Sequence, residues 1–232
     1  MPRLRPNVNR EINTTKSYIG KALVFCEGTT EYNYLEYFTT IFKVNEKSKY
    51  TNIDIEVEVQ NVHGNAQTVY NYAEEFLNDE NNAKKYKDFD KYLIFDCDSP
   101  DDIQNVIKVM LDSSKEYKLL LTNFLFEIWL LMHYEIVDTK ISKVQAYKKM
   151  SDHLGCVEYN SKEKANKGNI RKIIGDGESV KAAIMNAKNL ENEYKDKCDD
   201  LVQNIKDLNP YTTVHNFIEK VLYEIDLMNK NN

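Results

Sequence analysis

Two runs of apolar residues, Ala22-Leu23-Val24-Phe25-Cys26 and Tyr92-Leu93-Ile94-Phe95, break off directly into acids. Both are too short for a helix and too uniformly apolar for a strand with one wet face. They predict buried strands of a parallel sheet over 19–26 and 91–96. Between them, Ile53, Ile55, Val57 and Val59 alternate with Asp54, Glu56 and Glu58, the period-two mark of a strand at or near an edge. Lys118-Leu119-Leu120-Leu121-Thr122 supplies a fourth strand. Helices are expected from about Thr30 to Phe42, with Leu35, Phe38, Ile41 and Phe42 inward, and from about Ala66 to Leu77. A further helix starts near Ser99, which can cap it, with Pro100 in the first helical position and Asp101 and Asp102 in the first turn. Phe124 to Tyr134 is apolar nearly all round and reads as a buried helix, whereas Asn78 to Asp88 reads as a polar loop. This alternation predicts an α/β fold with a four-stranded, mainly parallel sheet flanked by helices on both faces.

Beyond residue 138 no strand pattern returns. Helical segments are expected near 141–153, 179–206 and 213–228, separated by Gly155, a Lys-rich stretch over 160–172, Gly175 and Gly177, and Asn209-Pro210. The expected organisation is a basic arm over 1–18, an α/β domain over 19–137, and a C-terminal helical extension over 138–232 packed on it.

The acids that end the apolar runs lie where open α/β sheets place ligands. Glu27 closes the first run. Glu31 falls one turn before Leu35 on the same helix face, and Asp96 and Asp98 close the second run. Taken singly, Glu27-Gly28 is no more than a turn and Asp98-Ser99-Pro100 no more than a cap. Together they crowd like charge into one crevice, which is costly without a cation. A donor set made of oxygen alone suits a hard ion, Mg²⁺ or Mn²⁺. Glu127, embedded among Phe124, Phe126, Ile128, Trp129, Leu130 and Leu131, must either meet a basic partner or reach that crevice as a further ligand. His133, on the face of Phe126 and Trp129, reads as a core histidine.

Charge narrows the partners. A formal net charge of −6 argues against nucleic acid binding by the whole surface, but leaves room for a local patch. From Lys140 to Lys172 basic residues outnumber acids. Such a run is usually a solvated face, yet Tyr147 and Tyr159 interleave with it, so Lys148, Lys149, Lys164, Lys167, Arg171 and Lys172 are candidates to track a phosphate backbone. No 18-residue apolar stretch exists, and the basic first ten residues lack the apolar segment of a secretory signal, so a cytoplasmic protein without membrane contact is expected. Cys26, Cys97, Cys156 and Cys198 show no paired spacing and read as reduced structural residues.

An apolar strand ending in Glu-Gly-x-x-Glu, followed by one ending in Asp-x-Asp, resembles the Toprim catalytic domain of topoisomerases, bacterial primases and several nucleases. The resemblance extends further. Cys26-Glu27-Gly28-Thr29-Thr30-Glu31-Tyr32-Asn33-Tyr34, Phe95-Asp96-Cys97-Asp98, Thr122-Asn123 through His133, and Asn209-Pro210-Tyr211-Thr212-Thr213-Val214-His215 are similar, in order, to RloB-like (AbiL-type) Toprim proteins of bacterial anti-phage loci. One departure is Asn123-Phe124, where many relatives have Asn-Pro. The resemblance implies a metal-dependent endonuclease in which Glu27 acts as general acid or base, Asp96 and Asp98 hold Mg²⁺, and Glu31 supports the site. Glu27 and Glu127 are further candidate metal ligands. It also implies an ATPase partner protein. This chain has no Gly-x-x-x-x-Gly-Lys-Ser/Thr phosphate loop of its own.

The leading expectation is therefore cleavage of nucleic-acid phosphodiester bonds. By analogy, RNA is favoured over DNA, transfer RNA among RNAs, and the setting is abortive infection. Two other readings stay open. One is a haloacid-dehalogenase-like phosphatase using Asp96 and Asp98, with Gly175-Asp176-Gly177-Glu178 echoing a later motif. The other is a noncatalytic Toprim sensor or scaffold for the ATPase. A homo-oligomer is compatible with all three.

Overall fold

The computed structural model describes residues 20–44, 55–98, 100–198 and 201–230. The expected basic arm, Ile53, Asp54 and Ser99 lie outside them. The first half runs β1 (Lys21–Cys26), α1 (Thr29–Ile41), β2 (Glu56–Asn61), α2 (Ala66–Asn78), α3 (Glu80–Lys85), β3 (Asp90–Asp96), α4 (Pro100–Leu111), β4 (Lys118–Asn123) and α5 (Glu127–Leu131). The second half adds α6 (Lys143–Leu154), α7 (Ser161–Lys164), α8 (Lys167–Ile174), α9 (Glu178–Glu193), α10 (Lys195–Cys198), α11 (Leu201–Asn204), β5 (Tyr211–Thr212) and α12 (Val214–Lys230).

The sheet order is β2-β1-β3-β4-β5. Strands β1 to β4 are parallel, and β5 runs antiparallel to β4 through Thr122↔Thr212 and Asn123↔Tyr211. The chain leaves β1 toward one side to form β2 and returns on the other to form β3. The carboxyl ends of β1 and β3 therefore flank the point where the winding reverses, the crevice such sheets use for ligands.

Side chains divide by strand parity between two cores. Ala22, Val24, Cys26, Tyr92, Ile94 and Leu120 face one core, built with α1, α5, α6, α8, α9 and α12. Leu23, Phe25, Leu93, Phe95 and Leu121 face the other, built with α2 and α4. Burial on both faces is why these strands read as unbroken apolar runs. The first core reaches from Ala22 to Val221, so the C-terminal helices share it with the sheet.

The expected four strands are five. Two residues are too few to show a period, and β5 exists through its pairing with β4 and a 3.1 Å hydroxyl contact between Thr122 and Thr212. The expected polar loop over 78–88 contains α3, which Asp79 caps by accepting from the N–H groups of Asn81 and Asn82. It lacks an apolar stripe because none of its residues is buried. The Lys-rich stretch likewise holds α7 and α8, capped by Asn160 and Asn166. The helix expected over 124–134 is confined to Glu127–Leu131, and the one over 179–206 ends at Glu193.

Candidate active site at the sheet switch point

Sequence order places Glu27 one residue past β1. Its Oε2 accepts a 3.2 Å hydrogen bond from the backbone N–H of Asp96, the last residue of β3. The two strand ends are thus joined by a carboxylate. Gly28, extended at φ −137°, is the N-cap of α1, and Glu31 occupies the first turn. The Glu31 carboxylate folds back over the cap, where backbone N–H groups of Gly28 and Glu31 favour its charge. A Cβ on residue 28 would lie 2.8 Å from Glu31 Oε2, so the glycine of Glu-Gly-x-x-Glu is the space this carboxylate needs.

Asp96 shares the parity of Ile94 and Tyr92. Its Oδ1 is buried and has no hydrogen-bond partner. Asp98 is exposed and joins Asp96 in lining a pocket of about 290 Å³, with Asn65 and Gln67 at the start of α2 and Asp102 and Asn105 on α4. Glu127, at the start of α5, is 0% exposed. Lys164 from α7 meets it with Nζ 2.8 Å from Oε1, yet no donor completes hydrogen-bond geometry at either oxygen. Of the two outcomes expected for Glu127 the basic partner is the one observed, and the pair lies within electrostatic reach of Glu31 and Asp96.

Crowding shows in proton affinities. Burial, partly offset by the Asp96 N–H and reinforced by Glu31 and Asp98, raises Glu27 to about 8. Glu31 rises to about 7 through burial and the nearby Glu127 charge. Burial and then Glu31, Glu127 and Glu27 push Asp96 well above the ordinary carboxyl range. Burial opposes the charge on Lys164, but Glu127 beside it holds the ammonium above its ordinary value. These shifts record like charges held together with one nearby ammonium as partial compensation.

The donors fit a hard cation in kind. All are carboxylates, and Asp96 Oδ1 is buried without a hydrogen-bond partner. Among the described residues no three acids, histidines or cysteines are already gathered about one point, so a complete protein shell is not preformed. Mg²⁺ does not demand one, because it is commonly held by one or two carboxylates, water and substrate phosphate.

The basic candidates do not form one track. Lys164 serves Glu127, Lys149 pairs with Glu135 at 2.5 Å, and Lys167 pairs with Glu36 at 2.5 Å. Arg171 lies over the Tyr37 ring, and the amine of Lys172 reaches the Leu154 carbonyl. Lys148 lines a separate pocket with Lys140 and Asp152. Lys164, Lys167 and Arg171 thus gather near α1, while Lys148 and Lys149 lie by the segment after α5.

His133 sits in the core as expected. Burial lowers it to about 3, and its two ring nitrogens meet the Tyr34 hydroxyl at 3.1 Å and Ser179 Oγ at 3.0 Å. Cys26 and Cys97 are buried, and burial raises both thiols, Cys97 to about 12. The Gly175-Asp176-Gly177-Glu178 segment joins α8 to α9, where Gly177 packs on Phe42 beyond the far end of α1 from Glu31. Sequence reasoning missed Asn65, Gln67 and Asn105. The available signal was Gly64-Asn65 ahead of an amphipathic run, since Asn65 caps α2 by accepting from the Thr68 N–H at 2.9 Å.

A family model described as RloB-like protein matches residues 22–221. The chain belongs to the RloB-like family. The matched span takes in Glu27, Glu31, Asp96, Asp98, Glu127 and Lys164, every group of the crevice just described. No match was found among curated proteins or among solved structures. The RloB-like fold seen here is a Toprim-like α/β arrangement with a mostly parallel sheet and a helical C-terminal part. Among the described residues, no helix is long and apolar enough to cross a membrane.

Proposed function

We propose that this RloB-like protein is a divalent-metal-dependent Toprim nuclease that cleaves nucleic-acid phosphodiester bonds, with RNA, and transfer RNA in particular, as the favoured substrate in anti-phage defence. The observation that carries this reading is the joining of Glu27 to Asp96 across the switch point, beside a buried and partnerless Asp96 oxygen. Glu27, Asp96 and Asp98 would hold Mg²⁺ or Mn²⁺. When bound, the ion supplies Lewis-acid polarisation of the phosphoryl group and lowers the pKa of water. Glu27, whose Oε2 is fixed by the Asp96 N–H between the two strand ends, is placed to carry a proton to or from a reacting oxygen. The pocket lined by Asp96, Asp98, Asn65 and Gln67 offers polar donors for a phosphate and sugar. An ATPase partner and an abortive-infection setting belong to the same reading.

Incubation with end-labelled transfer RNA, total RNA and plasmid, each with Mg²⁺ or Mn²⁺, tests it. Cutting by wild type that is lost in folded Glu27→Ala and Asp96→Ala/Asp98→Ala proteins supports it, and cutting that survives either change sinks it. One observation favours a second reading, a noncatalytic Toprim scaffold: no three-ligand group is preformed among the described residues. Intact nucleic acid after incubation with metal and the ATPase partner would decide for the scaffold.

A further inference from the structure

The crevice already contains a cation at its inner end, and the fold holds it there with unusual care. Lys164 ends α7, with two buried asparagines fixing the backbone on either side. Asn33 of α1 donates Nδ2 to the Ala165 carbonyl at 3.2 Å, and Asn169 of α8 donates Nδ2 to the Glu163 carbonyl at 3.0 Å. Asn169 also binds the Glu163 carboxylate at 2.7 Å, and Asn160 caps the start of α7. The ammonium of Lys164 lies 4.9 Å from the Tyr147 ring centroid and 2.8 Å from a glutamate whose side chain is 1% exposed. Immobilising a lysine sacrifices rotamer entropy, and burying its charge sacrifices hydration, so a lysine meant only for passing phosphates gains nothing from this framework.

We propose that Lys164 is the resident cation of the inner crevice, a positioning residue that neutralises Glu127 and so confines divalent metal to one ion at the outer end, on Glu27, Asp96 and Asp98. The inference rests on the nuclease reading and sharpens it, because it removes Glu127 from the metal ligands and assigns one ion per chain. Three features support the division. Glu127 has its counter-ion, and Glu31 has the backbone N–H groups of the α1 cap. Asp96 Oδ1 is buried with no hydrogen-bond partner, beside Asp98, which opens to the pocket.

The test is Mn²⁺ binding by calorimetry to the full chain without nucleic acid, with circular dichroism to confirm folding. Wild type is expected to bind one ion. Glu127→Gln leaves the lysine charge free to act on the outer acids and should weaken Mn²⁺ about tenfold, the scale of a nearby like charge in a partly solvated site. Lys164→Met/Glu127→Gln removes both charges, a change that buried ion pairs often tolerate. It should return the affinity to that of wild type with one ion still bound. A double variant as weak as Glu127→Gln would make Glu127 a metal ligand and overturn the inference. Two ions on wild type overturn it whatever the variants do. A wild type that binds no Mn²⁺ overturns this inference and leaves the nuclease reading to the cleavage assay, and one tightly bound ion with a weak double variant likewise removes the inference alone.

Discussion

Helix α1 and the segment that follows β4 meet twice, with opposite results. At one end Glu31 approaches Glu127, and both carboxylates are buried in mutual repulsion with Lys164 as the nearby ammonium. One turn along α1, Tyr34 meets His133. There the accounting closes. The Ser179 hydroxyl donates to the Ile173 carbonyl at 2.7 Å, so it accepts from Nδ1–H of His133, and Nε2 accepts from Tyr34. The histidine stays neutral and both of its ring nitrogens have partners. Two buried polar clusters on the same elements thus differ in satisfaction. Ring nitrogens with partners serve the fold, whereas the buried Asp96 oxygen without a hydrogen-bond partner and the raised proton affinities of Glu27, Glu31 and Asp96 mark the crevice as the candidate site.

The largest effect should separate the two clusters by activity. Glu27→Gln or Asp96→Asn is expected to lower nuclease turnover about 10²–10⁴-fold, the range of a lost acid–base group, while His133→Gln leaves turnover per folded molecule unchanged. Initial rates on end-labelled RNA, normalised to folded protein, check this. An equal loss in His133→Gln would erase the distinction. The next effect is thermodynamic. A ligand at about one hundred times its Kd stabilises by about 2.7 kcal/mol, so Mn²⁺ should raise the melting temperature of wild type and of His133→Gln but not of Asp96→Asn. Thermal melts with and without chelator give the answer, and a rise in Asp96→Asn would place the ion elsewhere.

How far this contrast was legible in sequence depends on what each residue's neighbours encode. Strands β1, β3 and β4 declared themselves because both of their faces are buried, and the acids ending β1 and β3 then fixed the crevice. That Glu127 is buried followed from its apolar flanks. Its partner did not follow, because Lys164 lies 37 residues away in a run where lysine is common. Asn33 and Asn169 were invisible for the same reason, since a polar residue on a helix says nothing about the carbonyl it will meet. Strand β5 was hidden by its length, and α3 and α7 by their dependence on side-chain caps where no residue is buried.

A smaller effect tests the closed network by itself. His133→Leu removes the acceptor of a buried Tyr34 hydroxyl and should destabilise by about 1–3 kcal/mol, measured by urea unfolding. Tyr34→Phe/His133→Leu, which removes both polar partners, should recover part of that loss. If it recovers none, cavity and packing terms explain the cost.

The smallest effect is a slope, and its sign differs between the clusters. His133 titrates near 3 when folded and near its ordinary 6.5 when unfolded, so between these values the unfolded chain binds more protons. Its contribution is fully present above pH 6.5 and is lost as pH falls toward 3, at most about 1.4 kcal/mol per pH unit. Glu27 behaves in reverse. Its folded value near 8 exceeds the ordinary 4.5, so the native state binds more protons between them and stability falls as pH rises through that window. In chelator, stability against pH should therefore steepen upward in Glu27→Gln relative to wild type above pH 4.5, and flatten in His133→Leu below pH 6.5. Parallel curves for both variants would mean that the two clusters share one electrostatic environment, and the contrast between a closed network and an open crevice would not hold.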